Sequence, residues 1–310
     1  MTREINQIPA MTWNWLGMNS ATVEVPDSAE ANSPVIVKAG KDSERVSELP
    51  FAFPEGANTE GTVEIAVEPE VEHIVLMDFN SDKDGFAEVK TKVNLGRKAR
   101  LTLVQVHRVG EDFRLVNRID ADVDEKADFH LMQIFIRGGE VYADVHSNLK
   151  ARRSALHIDA GYLTTAGQLL DINYEAIHTG ELSTSDIAVN GVLCDKAEKR
   201  FRGTIDFRHG AEGAVGNEIE NVLLMDPEVV NKTIPIILCE EEDVEGNHGA
   251  TIGRMDEDML YYMKSRGLDE TAIRAMMKPA YIDAVLRRAP EELQEYASKI
   301  RDEEKTILCQ

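Results

Sequence analysis

The segment ARLTLVQV at residues 99–106 is followed, 28 residues on, by ADFHLMQI at residues 127–134. Both open on alanine and place apolar residues at alternate positions, the mark of a strand with a buried face. A second pair has half that spacing: AEKRFRGTI at 197–205 and AEGAVGNEI at 211–219 start 14 residues apart. A half-unit that doubles in this way fits the half-turns and turns of a parallel β-helix, where the same face recurs on every rung.

The same alternation recurs in TVEIAVE (62–68), HIVLMDF (73–79), EVYADVHSNL (140–149) and RFRGTIDF (200–207). Helical periodicity is nearly absent between residues 62 and 254. Short strands broken by Gly or Asn are equally the signature of a sandwich or barrel, so the repeat alone leaves a solenoid and a sandwich side by side. A long solenoid also needs covered ends, because its terminal rungs expose strand edges.

The pattern changes on both sides. Residues 1–61 are dominated by turn chemistry, as in DSAEANSP (27–34) and PFAFPEGANTEG (50–61). They read as a loosely structured arm with one short ordered segment at Met11–Leu16. Residues 255–310 read as helical. Asp256 is a candidate N-cap, and Met259, Leu260, Tyr262 and Met263 form an apolar stripe that ends at Gly267. Asp269 can cap a second helix with Ile273, Met276 and Met277 inward. Pro279 is expected to break or kink it. Pro290 suits the first turn of a last helix carrying Leu293, Tyr296, Ala297 and Ile300. The chain thus divides into an arm (1–61), a β core (62–254) and a helical domain (255–310).

Lys and Arg number 34 against 56 Asp and Glu, a net charge of −22. That balance disfavours nucleic acid and anionic membrane surfaces as partners. The cysteines, Cys194, Cys239 and Cys309, are three, widely spaced and without a CxxC, so neither a disulfide framework nor a structural zinc site is expected. The N-terminus lacks the apolar stretch of a secretory signal, and no run of about 18 apolar residues occurs. A cytoplasmic protein is the expectation.

Signatures of self-contained catalysis are missing: there is no GxxxxGK[ST], GxGxxG, GxSxG or HExxH. Most of the eight histidines sit in strand-like stretches and read as structural, whereas His209 and His248 each precede a glycine. The run CEEEDVEGNH (239–248) gathers a thiol, five carboxylates and an imidazole within ten residues. Such donors suit iron or zinc, and an acidic solvated turn is the competing reading. Cys194, among apolar neighbours, reads as a buried small hydrophobe, and Cys309 as an exposed tail residue. A β-helix enzyme acting on polysaccharide, with two carboxylates across a groove, is a further alternative. The two Trp lie outside the repeat region and aromatic content is only 6%, so a sugar-stacking platform is not evident.

Two longer stretches carry a family resemblance. AEKRFRGTIDFRHGAEG (197–213) is similar to an A-x-S-x-F-x-G-x-I segment followed by a GA-x-G turn. NVLLMDPEVVNKTIPIILCEEEDVEGNHGATIGRMDEDMLYYMKSRGL (221–268) is similar to a segment that runs through DDV and HGAT-x-G to SRG. In that order they resemble the SufB/SufD family of iron–sulfur cluster assembly scaffolds. TWNWLGMN (12–19) is similar to the start of short members, and 71–191 matches only in pattern.

The resemblance implies a right-handed parallel β-helix with helical material at its ends. It implies pairing through the end nearest the C-terminal domain, as a homodimer or as a heterodimer with a SufB-type protein. It implies a SufC-type ABC ATPase docked on the C-terminal helices and hydrolysing ATP, so that this chain is a non-catalytic scaffold. The cargo would be a transient iron–sulfur cluster, held by this chain alone or shared with a partner chain; flavin binding is left open. His248 matches the HGAT histidine, a ligand in SufD-type members. Glu220 stands where SufB-type members carry a cysteine, and Gly249 where they carry the glutamate of HEAT; both departures are SufD-like. The implied metal ligands are His248 with Glu220, or Cys239 if it faces the interface.

Overall fold

The computed structural model describes residues 1–165, 167–254 and 257–308. In chain order the strands are β1 (Thr2–Ile5), β2 (Ala21–Glu24), β3 (Glu30–Ala31), β4 (Val35–Ala39), β5 (Val46–Ala52), β6 (Ala57–Val67), β7 (Glu72–Asn80), β8 (Gly85–Leu95), β9 (Arg100–Arg108) and β10 (Phe113–Val123). They continue as β11 (Asp128–Arg137), β12 (Glu140–Leu149), β13 (Ala155–Thr164), β14 (Leu169–His178), β15 (Thr184–Leu193), β16 (Glu198–Phe207), β17 (Ala214–Leu224), β18 (Val230–Cys239) and β19 (Val244–Arg254). The helices are α1 (Glu257–Ser265), α2 (Glu270–Leu286) and α3 (Gln294–Leu308).

Even-numbered strands from β6 to β18 form one parallel sheet and odd-numbered strands from β5 to β19 the other. Successive strands alternate between the two, which makes a parallel β-helix. The 28-residue repeat is one turn: Arg100 lies opposite Asp128, and Leu103 opposite Leu131. The 14-residue step is the crossing between sheets, and its corner alanines, Ala197 and Ala211, are both fully buried. Between the sheets runs one continuous apolar core, from Val37 and Val63 through Phe129 and Leu131 to Phe201 and Val222.

One corner shows how backbone chemistry holds the coil. Glu70, Lys98, Lys126, Arg153 and Leu182 all adopt left-handed φ of 55–63°. The amide of each donates to the carbonyl one rung further on: Lys98 to Glu125, Lys126 to Arg152 and Arg153 to Glu181, at 2.8–3.1 Å. The stack of turns over-determines a conformation that is locally unfavourable for residues with a Cβ.

The structure revises several expectations. Within residues 1–61, β3, β4 and β5 already belong to the two sheets, and β6 begins at Ala57. The arm proper is a β1–β2 antiparallel hairpin lying on the outer face of the even sheet. Its Ile5, Val23 and Val25 pack on Phe86, Val116 and Tyr142. Helices α2 and α3 do not stand at an end of the coil; they cover the outer face of the odd sheet. Ile282, Val285, Leu286, Leu293 and Ile300 are buried there against Val104, Ile134 and Leu163. Each such aliphatic contributes roughly 1.5–3 kcal/mol on full burial. Arg274–Asp226 at 3.0 Å, Arg45–Glu292 at 2.8 Å and Arg288–Asp159 rim the contact. Helix α2 runs through position 279 without a break, because a tertiary seat outweighs one missing backbone bond. Ile273 is inward as expected, but Met276 is 58% exposed. Pro290 precedes a 3₁₀ turn, Glu291–Leu293, rather than opening α3. Asp269 caps α2, accepting from the Ala272 amide at 2.7 Å, while Asp256 and Cys309 lie outside the described residues.

Close rung packing makes one glycine decisive. A Cβ on Gly180 would lie 2.2 Å from the Ala151 carbonyl oxygen, whereas a Cβ on Gly249 meets nothing within 4 Å. Gly180→Ala should therefore destabilise by about 2–3 kcal/mol through overpacking, and Gly249→Ala should change stability by less than about 0.5 kcal/mol. Equilibrium denaturation of the two variants against wild type checks this.

Candidate functional site

The coil ends at β18 and β19, each hydrogen-bonded to one neighbour only, β16 and β17 respectively. Their inward positions follow from register. Gly216, Glu218, Glu220 and Val222 of β17 lie opposite Gly246, His248, Ala250 and Ile252 of β19. Glu218, Glu220 and Val222 are buried. A Cβ on Gly246 would meet Phe207 at 3.1 Å and Ile237 at 3.2 Å, both on the core side. Positions of like parity in paired parallel strands share a face, so His248 sits on the inward column one rung beyond Glu218. Among the described residues nothing continues the column past it, and His248 is exposed.

Behind this end face lies a buried ionic cluster. Lys199 of β16 donates to Glu220 Oε1, and both side chains are fully enclosed. The Lys199 ammonium also donates to Thr233 Oγ1 at 2.9 Å, and the Thr233 hydroxyl donates to Glu220 Oε2 at 2.7 Å. The ammonium lies 5.6 Å from the centre of the Phe201 ring and 6.0 Å from that of Tyr162, within reach of cation–π attraction. Burial pushes the lysine pKa down while Glu220 pulls it back. The Glu218 carboxyl is pushed up to about 8, first by burial and then by the charge of Glu220. Its Oε2 has no hydrogen-bond partner among the described residues. A Cβ on Gly203 would lie 2.2 Å from that oxygen, so only glycine leaves room for it.

The residues singled out in the sequence therefore separate. His248 stands on the open face, whereas Glu220 is inside with both oxygens engaged. Cys239 is exposed at the end of β18, opposite Phe207, and its thiol donates to the Glu241 carbonyl at 3.0 Å. Among the described residues, no three His, Cys, Asp or Glu side chains are gathered as a metal cage. Sequence reasoning passed over Lys199 and Glu218. The signal was available: in AVGNEIENVLL two acids fall on the same strand face as Ala214 and Val222, and Lys199 falls on the face of Phe201.

A separate cleft lies between the N-terminal hairpin and the even sheet. It encloses about 490 Å³ and includes Asn6, Met11, Arg118, Asp144, His146 and Glu175. His146 is bound at 3.0 Å to Asp144 and at 2.5 Å to Glu175. Burial lowers its pKa, but the two carboxylates outweigh burial and lift it to about 10.

Comparison with known proteins decides between the readings of the sequence. Residues 54–281 match the family model described as SUF system FeS cluster assembly, SufBD core domain. The chain belongs to the SufB/SufD family. It is 31% identical to the iron–sulfur cluster assembly protein SufD of Bacillus subtilis over 118 residues, which cover 38% of this chain and 27% of that protein. It is 24% identical to SufB of the same organism over 220 residues, covering 71% of this chain and 44% of the relative. A SufD of Plasmodium berghei is 20% identical over 247 residues, 76% of this chain and 18% of the relative. These matches thus span less than half the length of each relative. The family assignment gives the polysaccharide reading no support, and it places the chain in the SUF system for iron–sulfur cluster assembly.

Two tests follow from this geometry. Glu220→Gln leaves the Lys199 ammonium buried without its counter-charge and should cost about 3–5 kcal/mol. The Lys199→Met/Glu220→Leu double variant should recover most of it, as denaturation midpoints will show. For His146 the folded pKa is raised above the unfolded 6.5. Its stabilisation is therefore complete below pH 6.5 and is lost as pH rises towards 10. The stability gap between wild type and His146→Gln should shrink over that window; a constant gap would refute the assignment.

Proposed function

We propose that this chain is a non-catalytic scaffold subunit on which iron–sulfur clusters are assembled and handed on. The observation that carries the reading is the open last rung: a free β18/β19 edge that presents His248 to solvent, on a chain of the SufB/SufD family. A parallel strand edge displays unsatisfied amides and carbonyls and is a template for pairing. Exposed Ile219 and Ile252, 53% and 51% accessible, add apolar surface beside it. The second subunit is another copy or a SufB-type protein. His248 then meets groups of that partner across the joint, and the cluster is a transient cargo shared between subunits.

The C-terminal helices suit an ATPase of the SufC type. Their inner face is used against the odd sheet, while Tyr261, Tyr262 and Met276 stay 57–77% accessible. Aromatic and Met side chains of this kind are enriched at protein interfaces. ATP hydrolysis belongs to that partner. No helix of the described residues is long and apolar enough to cross a membrane, and action in the cytoplasm fits the family reading. Whether a flavin takes part is tested by its absorbance in the same preparation.

Anaerobic isolation of the chain from its own cells should co-purify a P-loop ATPase. Reconstitution with ferrous iron and sulfide should give a charge-transfer absorbance, and His248→Ala should reduce it severalfold. Absence of both an ATPase and iron from the isolated complex would sink the scaffold reading; an unchanged chromophore in His248→Ala would sink the site alone.

A further inference from the structure

We propose that Glu218, and not Glu220, is the carboxylate that joins His248 in binding a ferrous ion at the end face. The inference rests on the scaffold reading above and names the ligand pair within it. Three observations carry it. First, Glu218 and His248 are register partners on adjacent strands of one parallel ladder. Backbones in such a ladder lie about 4.8 Å apart with side chains on a common face, so an imidazole and a carboxylate can reach one ion at bonds of about 2.0–2.2 Å. Second, Glu218 is only 3% accessible, yet one of its oxygens has no hydrogen-bond partner among the described residues. An orphaned buried acceptor is costly unless a ligand completes it. Gly203 leaves the space that this carboxyl occupies, since a Cβ there would sit 2.2 Å from it.

Third, the competing donors are committed. Lys199 and Thr233 take one oxygen each of Glu220. Withdrawing Glu220 towards a metal would strand a fully buried ammonium. Cys239 points its thiol at the Glu241 carbonyl from the far end of β18. One nitrogen and one oxygen donor make a half-site suited to a borderline divalent ion such as iron. Its remaining positions are open to water, sulfide or donors from the second subunit. An ion reaching the end face meets exposed His248 first, with Glu218 one rung behind it.

Cobalt(II), a spectroscopic stand-in for ferrous iron, tests the assignment on the full chain under anaerobic conditions. Wild type should bind one Co²⁺ per chain with ligand-field bands. Glu218→Gln and His248→Ala should each weaken binding at least tenfold, and Glu218→Asp, which keeps the charge on a shorter arm, should fall between. Glu220→Gln should bind within twofold of wild type despite a lower melting temperature. If it is not recovered folded, Lys199→Met/Glu220→Leu carries the same comparison with no charge left alone. Wild-type affinity in Glu218→Gln overturns the proposal, as does a wild-type chain that binds no Co²⁺. Loss in His248→Ala with no change in Glu218→Gln overturns Glu218 and leaves the scaffold reading standing. Intact Co²⁺ binding through both residues without any iron–sulfide chromophore upholds the pair and counts against the scaffold.

Discussion

Everything in this molecule depends on the in-register parallel ladder. When one rung lies directly on the next, each side chain has its counterpart above and below for a neighbour. An apolar column then propagates itself, and a polar residue must find a partner within its own rung or the adjacent ones. The middle of the coil meets that condition with a buried amide network, in which Gln105 accepts from both Asn117 and Gln133 at 2.7 Å. Near the end it is met by charge, through Lys199, Glu220 and Thr233. The buried pair is a weak source of net stability, because desolvation nearly offsets the attraction. What it does is fix the last fully packed rung in one arrangement, so that the face beyond it is held by rigid backbone and not by a loop.

The ladder also explains why both flanks of the chain fold back. A two-sheet coil has an outer face on each sheet as well as two ends. The even sheet is covered by the N-terminal hairpin, tied down by Arg202, which donates to the Met18 carbonyl at 2.7 Å and to Asp171 at 2.5 Å. The odd sheet is covered by α2 and α3 on its apolar residues. The helical domain is therefore mechanically continuous with the coil. Val285 and Leu286 seat these helices on the odd sheet, whose hydrogen-bonded ladder continues through β15 and β17 to β19 at the end face. On the scaffold reading proposed above, this would give a physical route from a partner docked on the helices to the pairing edge.

The repeat was legible in the sequence because its cause is local, but it left a solenoid and a sandwich side by side until the family resemblance favoured the coil. The 28-residue offset between ARLTLVQV and ADFHLMQI is one rung, and alternation marked β7, β9, β11, β12 and β16 to within a few residues and β6 with a start five residues late, while β8, β10, β13–β15 and β17–β19 were not marked individually. The early strands β3 to β5 were hidden by Pro and Gly content: edge strands tolerate such residues, so turn chemistry and strand pairing coexist there. The seat of α2 could not be read, because a hydrophobic helix stripe states that a surface is buried without saying which one. Met276 fell on the wrong side for that reason, and Pro279 was overruled by packing. At the site, the resemblance located the end face through His248. It could not show that Glu220 was already held, since that needs Lys199, 21 residues away on the opposite sheet.

A cluster that must be built and then surrendered makes demands opposite to those of a resident cofactor. A closed cage with every donor on one chain holds its metal tightly and releases it slowly. Here the described residues assemble no such cage, and on the scaffold reading proposed above a second subunit would complete the surroundings of the histidine on its unfinished edge. Binding strength then depends on the geometry of the joint, and whatever opens the joint lowers it. The open last rung is thus a liability for an isolated chain, through its free strand edge, and on the scaffold reading it is the feature that would let assembly and release share one site.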